Sequence, residues 1–259
     1  MIHCRFPVLS MTSSFLKPYQ TLPIQDNGDP LIPIPPDPLR LITPHPYESL
    51  GAPYGDRSPF YLRSEVLERL LRAQQHLDKA PRPGHLQGQA LYLQIFDAYR
   101  PVAVQQFMVD YTFEELVREQ GLNRETLTPQ QRQEIQDQVH QFWAVPSPDP
   151  ALPPPHSTGG AVDLTIVTEM GIPLDMGSPI DECSPRSYPD HFASEDTAPE
   201  VCYHQNRLLL RQVMTTAGFA NHPKEWWHFS YGDQLWAWLR EQNANLKHES
   251  RTVACYGGV

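Results

Sequence analysis

The sequence predicts an α+β fold in which helices flank one central antiparallel sheet. Segments with helical periodicity and segments with strand character form separate groups along the chain and do not alternate as repeated βαβ units. The 259 residues are enough to bury a substantial hydrophobic core. The sequence contains no internal repeat.

Composition and charge exclude several classes of protein. The formal net charge is -10 at pH 7, and no basic patch offsets it, which argues against a nucleic-acid partner. No apolar run approaches ~20 residues, so the sequence predicts no transmembrane helix and no membrane partner. Met1–Arg5 lacks the features of a signal peptide, and the four cysteines are scattered, which indicates reduced thiols in a cytoplasmic protein. The sequence leaves the oligomeric state open.

Prolines crowd the first quarter of the chain. We interpret residues 1–48 as an N-terminal arm, 49–245 as the folded domain and 246–259 as a C-terminal tail. Proline fixes one backbone dihedral and removes a hydrogen-bond donor, so the arm is expected to be extended and irregular. A disordered leader is one interpretation. Apolar residues interleave the prolines, however, and this favours an arm that wraps the folded body.

The first part of the domain has clear helix and strand signals. Ser64 begins an amphipathic helix, with a serine cap and apolar residues at helical spacing. Leu91–Phe96 is predicted to be a buried strand, and a helix follows over Val102–Glu119. Another helix begins after Thr128, where a threonine cap, a first-turn proline and a glutamine three residues later form a capping-box pattern.

The second part begins with a proline-rich loop at Pro146–Pro155. Ala161–Val167 alternates and is rich in β-branched residues, so it is predicted to be a strand. A long irregular segment follows over residues 168–199. Asn206–Ala217 is predicted to be helical and to end at a glycine, and Glu225–Tyr231 is predicted to be a short aromatic strand.

Two histidines and two acidic residues stand near the ends of these strands. His156 precedes Asp163 by seven positions, and Glu225 precedes His228 by three. Alternate residues of a strand share one face, so we expect Asp163 to project into a cleft on the face opposite the core. His156 would reach the same cleft from the preceding loop. Two imidazoles and one carboxylate suit zinc, with the fourth position open for water. Glu225 is placed to take a proton from that water, so the pattern predicts a zinc hydrolase.

Each of these patterns also has a structural explanation. Asp163 can cap the chain, and the histidines can be ordinary hydrogen-bonded core residues. Their order, spacing and position at strand ends favour the metal site. Three further histidines have no paired ligand at comparable spacing, namely His191, His204 and His222. The tryptophans around Glu225 resemble a saccharide platform but are better explained by core packing.

Four motifs together resemble one known family. His156–Asp163 with Glu225–His228 downstream is similar to the signature of the D-alanyl-D-alanine metallopeptidases, whose fold is shared with the Hedgehog signalling domain. Asp97–Pro101 and Met176–Asp181 resemble the VanX-type zinc D-alanyl-D-alanine dipeptidases more closely. The resemblance covers about residues 50–240.

This resemblance implies a zinc peptidase that hydrolyses the free dipeptide D-alanyl-D-alanine. One zinc ion per chain would be bound by His156, Asp163 and His228, and Glu225 would be the catalytic base. Zinc polarises the scissile carbonyl and lowers the pKa of a bound water to ~7. Such an enzyme would act in cell-wall dipeptide turnover or in resistance to vancomycin-type antibiotics.

The same resemblance implies substrate roles for Arg100 and Asp181. Arg100 would stabilise the tetrahedral intermediate, an interaction commonly worth ~3 kcal/mol. A surface ion pair with Asp97 is the structural alternative for this arginine. Asp181 would receive the ammonium group of the substrate.

One position departs from the family pattern. Pro154 stands where the family usually has a serine, two residues before the first histidine ligand. A hydroxyl contact to the substrate is then absent, or another residue such as Ser157 or Ser178 supplies it. The sequence does not decide between these.

Two other functions remain open at this point. One is a D,D-carboxypeptidase that trims peptidoglycan stems, and the other is a non-catalytic binding protein on the same scaffold. The long segment between the zinc motifs favours a closed dipeptide pocket over the carboxypeptidase. Retention of both Glu225 and Arg100 argues against simple binding, which requires neither residue.

Overall fold

The computed structural model describes residues 17–243 and 253–259. Six α-helices lie in these ranges, together with short 3₁₀ helices. They are α1 (Pro46–Ser49), α2 (Ser64–Lys79), α3 (Val102–Glu119), α4 (Pro129–Phe142), α5 (Glu200–Thr216) and α6 (Gln234–Asn243). Within the described ranges, none of them has both the length and the apolar composition needed to cross a bilayer.

Two helices, α3 and α4, lie where the sequence predicted them, and the other four differ in some respect. α3 and α4 are confirmed, and α4 carries the predicted capping box between Thr128 and Gln131. α5 begins at Glu200, earlier than the predicted Asn206. α1, of four residues, and α6 were not predicted. α6 carries two tryptophans, which have only modest intrinsic preference for helices.

The start of α2 is capped from a distant part of the chain. Ser64 was predicted to be the cap, but Arg63 holds that position and Ser64 is the first helical residue. Asp29 of the N-terminal arm accepts a hydrogen bond from Ser64 Oγ and another, at 2.9 Å, from Glu65 N. A carboxylate outside the helix therefore satisfies the donors that a local cap would bind.

Five strands form one mixed sheet and two form a separate antiparallel pair. The strands are β1 (Leu31–Pro33), β2 (Arg40–Leu41), β3 (Tyr61–Arg63), β4 (Leu91–Asp97), β5 (Ala161–Thr168), β6 (Ala220–Asn221) and β7 (His228–Ser230). The large sheet has the order β2-β4-β5-β7-β6, and β1 pairs with β3. All neighbours in the large sheet are antiparallel except β2 and β4, which are parallel. The predicted α+β class with a central antiparallel sheet is confirmed, and the arm adds β2 in parallel at one edge.

The central strand β5 is covered on both faces. On one face Val162, Leu164 and Ile166 pack with α2 and α5 in the main hydrophobic cluster. A second cluster joins α3, α4 and Tyr47. Residues 161–167 are all buried, so the face that carries Asp163 looks into a site enclosed by protein.

The described part of the arm packs against the body. Leu22, Ile34 and Leu39 are buried in the main cluster, and β1 and β2 pair with strands of the domain. This confirms wrapping for residues 17–48, while residues 1–16 lie outside the described part. Ala254 and Tyr256 of the tail are also buried. The domain boundaries themselves stay a prediction.

The second predicted strand is shorter than expected. Only His228–Ser230 pairs as β7, because the chain before it turns, with Glu225 N donating to His222 O at 3.4 Å and Trp226 N to Ser187 O at 2.9 Å. Glu225 therefore lies in a turn beside the sheet. Trp226 and Trp227 are buried in the main cluster, which confirms core packing for them.

Candidate metal centre and active site

The loop before β5 brings His156 to the sheet. His156 lies in a short 3₁₀ helix, Pro155–Thr158. Gly159 then adopts a φ of 72°, and a Cβ at this position would lie 2.3 Å from a side-chain atom of Leu31. Glycine adopts such a conformation without a steric penalty, so the turn predicted between His156 and Asp163 depends on Gly159.

Strand pairing places Asp163 beside His228. The two residues are directly opposite each other in the register of β5 and β7, and Nδ1 of His228 lies 3.0 Å from Oδ1 of Asp163. Nε2 of His156 lies 3.1 Å from Nδ1 of His228. Nε2 of His156 also lies 3.2 Å from Oδ2 of Asp163. The structure thus brings together the three residues that were predicted as ligands.

These three side chains could hold a metal ion. They are buried, and one ligand atom from each lies within 4.8 Å of the others. Three donors at ~2 Å from one ion in a tetrahedral arrangement lie roughly 3.3 Å apart. The two histidine nitrogens are 3.1 Å apart, close to that value. Nδ1 of His228 lies 3.0 Å from Oδ1 of Asp163 and Nε2 of His156 lies 3.2 Å from Oδ2, so each histidine contacts a different oxygen of the carboxylate. Two imidazole nitrogens and one carboxylate oxygen also form a donor set that suits zinc.

Neighbouring groups set the protonation of this trio. Nδ1 of His156 donates to the carbonyl oxygen of Ala98 at 2.7 Å, so in the neutral ring the lone pair on Nε2 faces the other two residues. Burial opposes ionisation of Asp163, but His156 and His228 outweigh it and hold the pKa of Asp163 well below its usual range. Asp163 is therefore a carboxylate at neutral pH.

Arg100 is buried beside the trio. Its Nε and Nη2 donate to Oδ2 of Asp97 at 3.0 and 2.7 Å, and its Nη1 donates to Oε1 of Gln105 at 2.9 Å. Nη2 also lies 3.6 Å from Oδ2 of Asp163. The ion pair with Asp97 exists, but it lies in the interior and not on the surface. It fixes the guanidinium next to the candidate metal centre.

Glu225 lies beside the trio in the turn before β7. Its Oε2 is 3.7 Å from Nδ1 of His228, and its Oε1 is 3.7 Å from Nδ1 of His222. Burial, and then the negative charge of Asp163, raise the pKa of Glu225 well above its usual range. Its carboxyl group is therefore near enough to the trio to exchange a proton with a water molecule held there.

Asp181 lies in the long irregular segment between β5 and α5. Its φ is 65°, a left-handed conformation that is uncommon outside glycine and that is often found at functional sites. Tyr47 Oη donates to its Oδ2 at 2.8 Å. The segment is held by Arg207, which donates to Met176 O at 2.6 Å and to Ser178 Oγ at 3.1 Å.

These groups line one small cavity of about 90 Å³. The sequence-predicted residues that line it are Arg100, His156, Asp163, Asp181, Glu225 and His228. Sequence reasoning missed other lining residues, including Lys17, Tyr19, Gln105, Trp143 and Leu235. They come from the arm, α3, the end of α4 and α6, and no sequence motif connects them. His222 also lines the cavity, through its place next to Glu225 in the turn.

The family serine has no replacement among the two candidate hydroxyls. Ser157 Oγ donates to Arg100 O at 2.7 Å. Ser178 Oγ accepts from Trp226 Nε1 at 3.0 Å. Neither Ser157 nor Ser178 lines the cavity. The side chain of Pro154 offers no hydrogen bond, and neither of the two candidate hydroxyls takes the place of the serine.

Comparison with protein families gives a match over most of the chain. The model of the family described as D-ala-D-ala dipeptidase (Peptidase M15) matches residues 41–249. A protein of Synechocystis sp. called D-alanyl-D-alanine dipeptidase is 46% identical over 252 residues, which cover 94% of this chain and 97% of that protein.

Other similar proteins match over shorter stretches or with lower structural similarity. A D-alanyl-D-alanine dipeptidase of Escherichia coli is 43% identical over 74 residues, covering 29% of this chain and 36% of that protein. One from Enterococcus faecium is 35% identical over 80 residues, covering 30% and 37%. The solved structure of the LdcB LD-carboxypeptidase gives a TM-score of 0.42 at 14% identity, over 88% of this chain and 79% of that one. A likeness at that level supports no argument about activity.

Proposed function

The chain belongs to the family of D-alanyl-D-alanine dipeptidases, and from this premise we propose that it is a zinc enzyme that hydrolyses free D-alanyl-D-alanine to D-alanine. One observation carries the proposal. The buried trio of His156, Asp163 and His228 converges on one point, with Glu225 and Arg100 both within 3.7 Å of one of its members.

Zinc is the metal that best fits the donor set. His156, Asp163 and His228 would hold one ion, with the Ala98 carbonyl fixing the tautomer of His156. When bound, zinc supplies Lewis acidity, which polarises the scissile carbonyl and acidifies the attacking water. The family is typically zinc-dependent, which supports the same choice.

Two protein groups would carry the remaining chemistry. Glu225 would accept the proton of the attacking water and pass it to the amine of the leaving D-alanine. Arg100 would donate hydrogen bonds to the oxygen that gains negative charge in the transition state. Asp97 and Gln105 orient the guanidinium, so its position requires little reorganisation during the reaction.

Asp181 would select a substrate with a free amino terminus. Its carboxylate lines the cavity, and a carboxylate forms a strong charge-assisted hydrogen bond with an ammonium group. Free D-alanyl-D-alanine has that group, whereas the same sequence at the end of a peptidoglycan stem is acylated there. A requirement for that ammonium group favours a dipeptidase over a carboxypeptidase.

The cellular setting is part of the same proposal. The substrate is a small dipeptide, and the charge of -10 speaks against nucleic acid as a partner. In the described part of the chain, Cys183, Cys202 and Cys255 form no disulfide. Scattered reduced cysteines support a cytoplasmic enzyme that acts on the dipeptide, in cell-wall turnover or in glycopeptide resistance.

The proposal is tested with purified full-length protein. We expect release of D-alanine from free D-alanyl-D-alanine, loss of this activity after treatment with a chelator, and its return on addition of zinc. N-acetyl-D-alanyl-D-alanine should be cleaved poorly. Equal kcat/KM on the free and acetylated substrates would favour a carboxypeptidase, and no turnover of either by the zinc-loaded protein would favour a binding protein.

A further inference from the structure

Lys17, from the N-terminal arm, lies in the wall of the active-site cavity together with Glu225 and His228. It stands just before the 3₁₀ helix Pro18–Thr21, and its backbone N–H donates to Gln20 Oε1 at 2.8 Å. Its ammonium group donates to the carbonyl oxygen of His140 at 2.6 Å. An ammonium group has three N–H donors, so this contact leaves Lys17 with capacity for a ligand.

The proposed substrate needs a positive partner at one end. D-alanyl-D-alanine is a zwitterion, and Asp181 would bind only its ammonium group. A carboxylate that enters an enclosed cavity loses hydration, which is costly unless a cation or hydrogen-bond donors replace the water. The hydroxyl that the family usually offers is missing at Pro154.

Arg100 has few donors left for the substrate carboxylate, because the proposed mechanism assigns its remaining N–H groups to the developing oxyanion. Three of its N–H groups donate to Asp97 and Gln105, and its Nη2 lies 3.6 Å from Asp163. Among the described residues that line the cavity, the only arginine is Arg100 and the only lysine is Lys17. Lys17 is therefore the cation that is not occupied by a buried carboxylate.

Lys17 and Glu225 line the same cavity. Burial and Lys224 lower the pKa of Lys17, whereas the negative charge of Glu225 raises it, so the two groups interact electrostatically. Glu225 would deliver its proton to the amine of the leaving residue, and that same residue bears the substrate carboxylate. The carboxylate must then lie within a few bonds of the point where Glu225 acts.

We propose that the Lys17 ammonium group binds the C-terminal carboxylate of the dipeptide, so that the N-terminal arm supplies a specificity residue for the leaving D-alanine. This inference rests on the proposed dipeptidase function. The alternative role for Lys17 is structural, because a cation near the end of α4 stabilises the last carbonyl groups of that helix and docks the arm. A purely structural lysine affects every substrate equally, whereas the proposed contact affects only substrates with a free carboxylate.

The test compares D-alanyl-D-alanine with its C-terminal amide, which keeps the ammonium group and the scissile bond but has no carboxylate. Full-length wild type, Lys17→Met and Lys17→Arg are assayed with zinc, and Lys224→Met serves as the control. Lys224 acts electrostatically on Lys17 but is exposed and does not line the cavity. The melting temperature of each variant is measured in parallel.

We expect wild type to prefer the free acid to the amide. Lys17→Met should lower kcat/KM on the free acid roughly 30-fold or more, mainly through KM, because it removes one partner of a buried charge pair. Its kcat/KM on the amide should stay within about twofold of wild type. Lys17→Arg should retain part of the preference, and Lys224→Met should behave as wild type.

Three results would overturn the inference. One is a wild-type enzyme that cleaves the amide as well as the acid, which needs no variant and therefore does not depend on whether Lys17→Met folds. Another is an equal loss on both substrates in Lys17→Met, which would assign the lysine to docking of the arm. Failure of wild type to cleave the free dipeptide at all would overturn the proposed function and this inference together.

Discussion

The hydroxyl of Tyr47 donates a 2.8 Å hydrogen bond to Oδ2 of Asp181, across 134 residues of sequence. Tyr47 is buried in the second hydrophobic cluster, and burial, followed by the charge of Asp181, raises its pKa well above the usual range. The hydroxyl of Tyr47 is therefore protonated, and a donor, at neutral pH. The contact fixes the orientation of the Asp181 carboxylate, which is the group proposed to bind the substrate ammonium.

Asp181 should destabilise the metal-free protein at neutral and higher pH. Burial and then Asp163 raise its pKa from 3.8 to about 7, against the opposing effects of Tyr47 and Arg100, while Asp97 adds to the rise. The unfolded chain releases this proton near pH 4, whereas the folded chain keeps it until about pH 7. Stability contributed by this group thus falls as pH rises from about 4 to 7 and is level above that.

Asp181→Asn should remove this dependence. We expect the variant, measured as metal-free protein, to gain on the order of 1 kcal/mol over wild type at pH 8, or roughly 2–4 °C in Tm. The gain should shrink towards pH 4, where wild type carries a neutral carboxyl group as well. Thermal unfolding from pH 4 to 8 checks this. A gain that grows at acid pH would contradict the raised pKa of Asp181.

Asp181 should also determine the choice between free and acylated substrates. Asp181→Ala removes the group that pairs with the substrate ammonium, so kcat/KM on free D-alanyl-D-alanine should fall roughly 30-fold or more. The low kcat/KM on the N-acetyl form should change little, so the ratio of kcat/KM between the free and the acetylated substrate should fall. An equal loss on both substrates would show that Asp181 supports the fold of its segment rather than binding the ammonium.

Most of the site was predictable because its residues occur in short local motifs. One turn and the start of one strand join His156 to Asp163, and one turn joins Glu225 to His228. The distance between the members of each pair therefore follows from their spacing in the sequence. Arg100 follows a strand whose apolar pattern is clear. Lys17 was not predictable in this way, because its place in the cavity depends on how the arm lies against α4.

The fold shows the same division between local and non-local signals. α3 and β5 were predicted because periodicity and β-branched residues act within each segment. β2 was missed because only its pairing with β4 makes Arg40 and Leu41 a strand. The cap of α2 was assigned to Ser64 because the acceptor, Asp29, comes from a distant residue that no local pattern reveals.

Glu225→Gln should separate metal binding from turnover. The variant keeps His156, Asp163 and His228 and loses only the proton acceptor, so it should bind zinc in the same stoichiometry as wild type. Its kcat should fall by about 10²–10⁴. Metal analysis of the purified protein and steady-state kinetics give the two readouts. Turnover close to that of wild type would place the general base at another residue.

Asp97→Asn should lower the stability of the protein. Arg100 Nη2 lies 2.7 Å from Asp97 and 3.6 Å from Asp163, so the change removes the closer of two carboxylates beside a buried guanidinium. Breaking a buried ion pair commonly costs roughly 3–5 kcal/mol. Glu115→Gln is a matched control, since Arg118 and Glu115 form a pair of the same i,i+3 spacing on an exposed helix surface. That variant should lose at most ~1 kcal/mol. Urea denaturation gives the free energy of unfolding of both variants. Similar losses in Asp97→Asn and Glu115→Gln would show that the buried Arg100–Asp97 pair contributes no more to stability than an exposed pair.

The last prediction distinguishes the two histidines that lie closest to Glu225. The ring centroids of His222 and His228 are 5.5 Å apart, but only His228 belongs to the convergent trio among the described residues. His228→Ala should lose tight zinc binding, and its Tm should no longer respond to a chelator, because a ligand that binds only the folded state stabilises it. His222→Ala should keep about one zinc per chain and the chelator-dependent shift in Tm. Metal content after dialysis and thermal unfolding with and without chelator check both variants. Retention of zinc by His228→Ala together with its loss from His222→Ala would mean that the metal is bound by a different set of residues.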